Sequence, residues 1–139
     1  MMEIYFIVPG PPKGKARART LRNGITYTPK ETVQYENLVK MYCKQAMSGA
    51  PIDGPVAILV EAGFPIPKSA SQNRQKAMCN HDVYPTVKPD LDNILKIICD
   101  SLNGIAWRDD AQVVISTVWK YYSIEPCVTV MISEFSGGK

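Results

Sequence analysis

Prolines cut this chain into short pieces and so limit what it can fold into. Pro9-Gly10-Pro11-Pro12, then Pro65 and Pro67, then Pro85 and Pro89, and finally Pro126 each interrupt a strand ladder or a helix. Between these breaks the apolar residues recur with one of two periods. Residues 3–8 read as a strand that stops at the first proline cluster. Asn23-Gly24 is a turn dipeptide and predicts a short hairpin. Thr28-Pro29-Lys30-Glu31 reads as a helix start, with Thr28 as cap, Pro29 at the first helical position and Glu31 closing a capping box. Tyr35, Leu38, Val39, Tyr42 and Ala46 carry that helix from about 29 to 47, with Gly49 ending it. Val56, Ile58 and Val60 alternate in a second strand that closes at 63–67. Residues 69–78 predict a short polar helix capped by Ser69. A third helix begins near Asp90, with Leu91, Ile94, Leu95, Ile98 and Leu102 as its apolar stripe and Asn103-Gly104 as its end. Residues 113–121 and 127–132 read as the last two strands.

This order predicts an α+β fold: a small mixed β-sheet with helices packed on one face. With 139 residues the chain forms a single domain, 1–139, with a frayed tail over 136–139. No apolar run approaches the ~18–20 residues of a membrane span. The N-terminus has an acid at Glu3 and reads as a strand rather than a signal peptide. A cytoplasmic protein with no membrane partner is expected.

The net charge is +3, but the charges are unevenly placed. Lys13, Lys15, Arg17, Arg19, Arg22 and Lys30 form a stretch without an acid. Six of the thirteen acids, Asp82, Asp90, Asp92, Asp100, Asp109 and Asp110, fall in one later segment. A basic arm that holds phosphates and an acidic cluster that holds a metal would suit a nuclease. The plainer alternative for the arm is a solvated face. Cys43, Cys79, Cys99 and Cys127 contain no CxxC pair. Cys43, Cys99 and Cys127 read as reduced core thiols, and Cys79 with His81 fits no zinc spacing. With one histidine and no GxSxG, HExxH or P-loop, the chain has no nucleophilic triad, His-based metal site or nucleotide cofactor to expect.

The informative segment is Lys88-Pro-Asp-Leu-Asp-Asn-Ile-Leu-Lys96. Asp90 and Asp92 stand at the mouth of a helix, where two hard oxygen ligands suit Mg²⁺. An N-cap and a first-turn acid account fully for one Asp and only partly for two. Lys96 lies one turn beyond Asp92, and Asp100 one turn beyond Lys96. That spacing fits an ordinary i,i+4 ion pair, and equally an ammonium beside a metal site. Arg108-Asp109-Asp110-Ala-Gln-Val113 follows by one short loop and offers a third carboxylate. Spacing does not choose between Asp109 and Asp110.

Lys88-Pro-Asp-Leu-Asp-Asn-Ile-Leu-Lys96, Asp100-Ser-Leu-Asn-Gly104 and Trp107-Arg-Asp-Asp-Ala-Gln-Val113 together resemble the RusA family of Holliday junction resolvases, in its phage and prophage branch. Weaker agreement extends over most of the chain. The resemblance implies a homodimeric endonuclease, dependent on Mg²⁺ with Mn²⁺ as a substitute, that cuts four-way junction DNA. It also implies a small α/β domain that dimerises through its sheet. Asp90 and Asp92 match the paired motif acids, Asp110 the third carboxylate and Lys96 the motif lysine. Lys13, Lys15, Arg17 and Arg19 would then hold junction arms, with Lys88 and Lys120 as further DNA contacts. Pro89 stands where some members carry a basic residue before the first motif Asp. The stretch 65–85 is longer than in the shortest members and reads as a DNA-contacting insertion or a surface loop. The rival expectations are a nuclease of broader branched-DNA specificity and a non-catalytic branched-DNA-binding protein.

Overall fold

A computed structural model describes residues 3–136. Most of the tail expected to fray, 137–139, lies outside them. The elements run β1 (Glu3–Pro9), β2 (Arg19–Thr20), β3 (Thr26–Tyr27), α1 (Lys30–Ala46), β4 (Val56–Pro65), α2 (Gln72–Cys79), α3 (Leu91–Leu102), a short 3₁₀ turn at Asp110–Gln112, β5 (Val113–Ser123) and β6 (Cys127–Glu134). The fold is α+β. Its main sheet is mixed, in the order β1-β6-β4-β5, with β4 and β5 parallel and the other neighbours antiparallel. The small β2–β3 hairpin stands apart and turns at Gly24, whose φ of 85° favours glycine.

Alternation along the strands decides the two faces of the sheet. Ile4, Phe6 and Val8 of β1, Ile58, Val60, Ala62 and Phe64 of β4, and Val128, Val130 and Ile132 of β6 are buried. α1 packs on β1 and on α3, and α3 also meets β5, so these two helices cover that face. α1 contributes Tyr35, Val39 and Cys43, and α3 contributes Ile94, Ile97, Ile98 and Leu102. The opposite face carries Tyr5, Ile7, Met131, Ile115 and Trp119, all exposed, with Tyr5 at 55%.

Three local expectations need correction. α1 has no capping box: Pro29 is the N-cap, in extended conformation with ψ 145°, so the helix starts one residue later and no side chain caps it. α2 is capped by Ser71, whose Oγ accepts from Arg74 N at 3.2 Å; Ser69 lies in the preceding turn, where Ala70 N donates to Pro67 O. In α3 the buried stripe includes Ile97, whereas Leu91, in the first turn, is 44% exposed. Of the three cysteines expected in the core, Cys43 and Cys99 are buried and Cys127 is half-buried.

Candidate active site

The site is built on the outward side of α3. Asp90 is the N-cap of this helix, with extended backbone (φ −72°, ψ 156°), but its side chain makes no capping hydrogen bond. The cap position is thus filled by an Asp whose carboxylate is not used for capping. Asp92 follows in the first turn, where its Oδ1 accepts from Asn93 N at 3.0 Å. Asp92, Lys96 and Cys99 recur at helical spacing and share one face of α3.

The adjacent acids Asp109 and Asp110 have different tasks. Asp109 caps the 3₁₀ turn: its Oδ2 accepts from Ala111 N at 2.9 Å. Gln112 completes the box, its Oε1 accepting from Arg108 N and Asp109 N. The amide of Gln112 donates at 2.9 Å to both Ile52 O and Gly54 O, which pins the turn to the loop before β4. Trp107, fully buried, secures the other side of the turn; its Nε1 donates to Asn103 Oδ1 and its carbonyl accepts from Gly104 N. Asp110 is left facing α3.

Asp92, Lys96 and Asp110 line one open depression of about 330 Å³, together with Leu95, Cys99, Val113 and Ser116. Asp90 is exposed at the mouth of the helix and does not line it. Among the described residues, no three His, Cys, Asp or Glu side chains are gathered closely enough to hold a metal by themselves. The donor chemistry nevertheless fits Mg²⁺, which takes one or two carboxylates and completes its shell with water and phosphate oxygens. Burial pushes the Cys99 thiol up to about 12, and the carboxylates of Asp110 and Asp100 add to the shift, so it lines the depression as a protonated thiol. A larger hollow of about 690 Å³ between α2 and the β5–β6 turn is lined by Pro65, Ile66, Lys68, Gln75, Cys79, Ile124 and Pro126, and it carries no carboxylate.

The basic residues expected to contact DNA separate into an exposed group and an engaged group. Lys13, Arg17, Arg19 and Lys88 are exposed. Lys13 and Arg19 line a common hollow against the start of α1. Lys15 is engaged: its Nζ lies 2.7 Å from Glu36 Oε2 and 3.3 Å from Asp100 Oδ2. Burial works against the Lys15 charge, but the hydrogen bonds and charges of Glu36 and Asp100 outweigh it and leave its pKa raised. Lys120 donates to Val87 O and sits 4.9 Å above the Phe64 ring, so its ammonium fastens the loop before α3 to the sheet. Sequence spacing gives no sign of either engagement, because Glu36 is 21 residues and Val87 33 residues from its lysine.

Comparison with known proteins adds two findings. The family model described as endodeoxyribonuclease RusA matches residues 9–133. A Bacillus subtilis (strain 168) protein, described as uncharacterized protein YqaN, is 38% identical over 138 residues, covering 96% of this chain and 97% of its own.

Proposed function

The chain belongs to the endodeoxyribonuclease RusA family, and from that premise we propose that it is a Mg²⁺-dependent resolvase of four-way DNA junctions, cutting by paired symmetrical nicks. Family membership makes it an endodeoxyribonuclease. The observation that carries the finer reading is the depression in which Asp92, Lys96 and Asp110 meet.

In this reading Asp92 and Asp110 hold Mg²⁺, with Asp90 as a third carboxylate at the mouth of α3; Mn²⁺ would satisfy the same oxygen donors. When bound, the cation supplies Lewis-acid stabilisation of the phosphate and activation of water for in-line attack. Lys96 places its ammonium against charge that develops at the scissile phosphate. Leu95 and Val113 supply apolar lining beside the carboxylates. Lys13, Arg17 and Arg19 offer phosphate contacts from the arm, and Lys88 from the loop before α3. Lys15, held by Glu36 and Asp100, and Lys120, held by Val87 O, are engaged within the protein instead.

Two cuts at symmetry-related positions call for two sites, and a two-fold dimer supplies them. The sheet face that carries Tyr5, Ile7, Met131 and Trp119 supports dimerisation, since exposed apolar rows of this kind gain from burial against a second copy. Among the described residues no helix is long and apolar enough to cross a membrane. We place the protein in the cytoplasm of a bacterial cell.

The test is a labelled synthetic four-way junction with Mg²⁺ or EDTA, using wild type and Asp92→Asn, with flap, fork and linear-duplex controls. Expected are paired symmetrical nicks from wild type with Mg²⁺ alone, and junction binding without cleavage by Asp92→Asn. Equal cutting of flaps and forks would replace the strict resolvase with a broader branched-DNA nuclease. Junction binding without cleavage under every condition would leave a non-catalytic binding protein.

A further inference from the structure

Four alternating charges run from α1 through the basic arm into the active site. Glu36 of α1 holds Lys15 of the arm at 2.7 Å; Lys15 reaches Asp100 of α3 at 3.3 Å; and the same Asp100 Oδ2 lies 3.5 Å from Lys96 Nζ. The side chains of Glu36, Lys15 and Asp100 are 15%, 23% and 22% exposed, whereas that of Lys96 is 61% exposed. Three members are therefore half-buried, and the fourth lines the depression shared with Asp92 and Asp110. The arm itself is fixed at this point. Lys15 N donates to Asn93 O at 3.1 Å, and Gly14 lies so close to α3 and the loop before it that a Cβ would stand 2.9 Å from Pro89 Cβ and 3.1 Å from Asn93 Cβ.

We propose that Asp100 is a positioning residue for Lys96, and that Glu36, by holding Lys15, leaves Asp100 available for that task. The inference rests on the nuclease reading of Lys96. A lysine on four methylenes has many rotamers, and an exposed one next to two carboxylates would fold onto them. Asp100, one turn further along the helix, offers the ammonium a carboxylate of its own at 3.5 Å and so restrains it at the rim of the depression. Lys15 competes for the same oxygen. Glu36 takes the larger share of Lys15, as the shorter distance shows, and so moderates that competition. The same network joins the arm to the catalytic lysine, so that a displacement of the arm at Lys15 is felt at Lys96.

A double-mutant cycle on single-turnover junction cleavage tests this, with junction affinity and thermal stability measured alongside. Asp100→Asn keeps the size and one acceptor but removes the charge. It is expected to slow cleavage about ten- to a hundredfold, the scale on which small misplacements act, with the binding constant unchanged. In a Lys96→Ala background the same change is expected to add no further loss, because the residue it positions is gone. Glu36→Gln is expected to slow cleavage in the same direction, again only when Lys96 is present, and it decides the matter if Asp100→Asn fails to fold. Wild-type rates in Asp100→Asn, or in Glu36→Gln where that variant decides, overturn the proposal. So does a slowing that multiplies fully with Lys96→Ala, since that marks a structural role only. If wild type does not cleave, the nuclease reading falls and takes the proposal with it. If wild type cleaves and the variants are indifferent, the proposal falls alone.

Discussion

Asp109 and Asp110 are neighbours in sequence with opposite uses. One hydrogen bond, from Ala111 N, commits Asp109 to the backbone, and the reciprocal clamp by Gln112 leaves Asp110 for the depression. The same residue-by-residue division applies to the thiols. Cys43 and Cys99 are buried, and burial pushes them up to about 11 and about 12 from an ordinary value of 9.0. An acid whose pKa is raised in the folded state contributes fully below its unfolded pKa and loses that contribution as pH rises through the folded value. Stability should therefore hold to about pH 9 and fall between about pH 9 and 12, where the unfolded chain gives up these protons first. Thermal unfolding across that range checks this, and Cys43→Ala should reduce the slope. Thiol labelling gives a second readout: exposed Cys79 should react in the native protein, and Cys43 and Cys99 only after unfolding.

At the scale of elements, α3 and the arm form a unit. Gly14→Ala should lift the arm from Pro89 and Asn93, at a cost of about 1–3 kcal/mol typical of inserting a methyl group into a packed contact. Chemical denaturation would show the loss, and cleavage should fall with it because Lys15 moves with the arm. The elements themselves were legible where one period dominates. Ile4, Phe6 and Val8 alternate without exception, and Ile94, Ile98 and Leu102 mark the inner stripe of α3. Boundaries were less legible because several residues compete for each cap. Thr28 and Pro29 both suit the start of α1, and Ser69 and Ser71 both suit α2; the backbone turn at 67–70, not side-chain type, selects Ser71. Asp90, Asp92 and Lys96 could be read as candidates because they stand at the mouth and along one face of a single helix, whereas spacing left Asp109 and Asp110 both open and only the family resemblance pointed to Asp110. The engagement of Lys15 with Glu36 could not be read, since nothing local in either segment specifies the other.

At the scale of the molecule, one sheet face is covered by α1 and α3, and the other is met at Tyr121 by His81 of the turn after α2 and otherwise leaves Tyr5, Ile7, Met131 and Trp119 exposed. Trp119 stacks on Tyr121 at 4.9 Å and donates to Glu61, while His81 meets the Tyr121 ring edge-on at 5.7 Å. These contacts order the surface without burying it. If a second copy covers this face, Ile7→Lys with Met131→Lys should give monomers in sedimentation, with each domain still folded. A double variant that remains dimeric would place the interface elsewhere. Loss of the dimer should also uncouple the two nicks, so that single nicks accumulate in a supercoiled cruciform substrate.

The proposed nuclease centre is the depression between α3 and the turn before β5. The most direct measurement is Mg²⁺-dependent junction cleavage by Asp110→Asn and Asp109→Ala, side by side with wild type. Asp110→Asn should lose cleavage while keeping junction binding and thermal stability. Asp109→Ala should keep the chemistry and lose about 1 kcal/mol of stability, as removal of a cap does. Cleavage that survives Asp110→Asn and disappears in a folded Asp109→Ala would contradict the assignment and move the third carboxylate to Asp109.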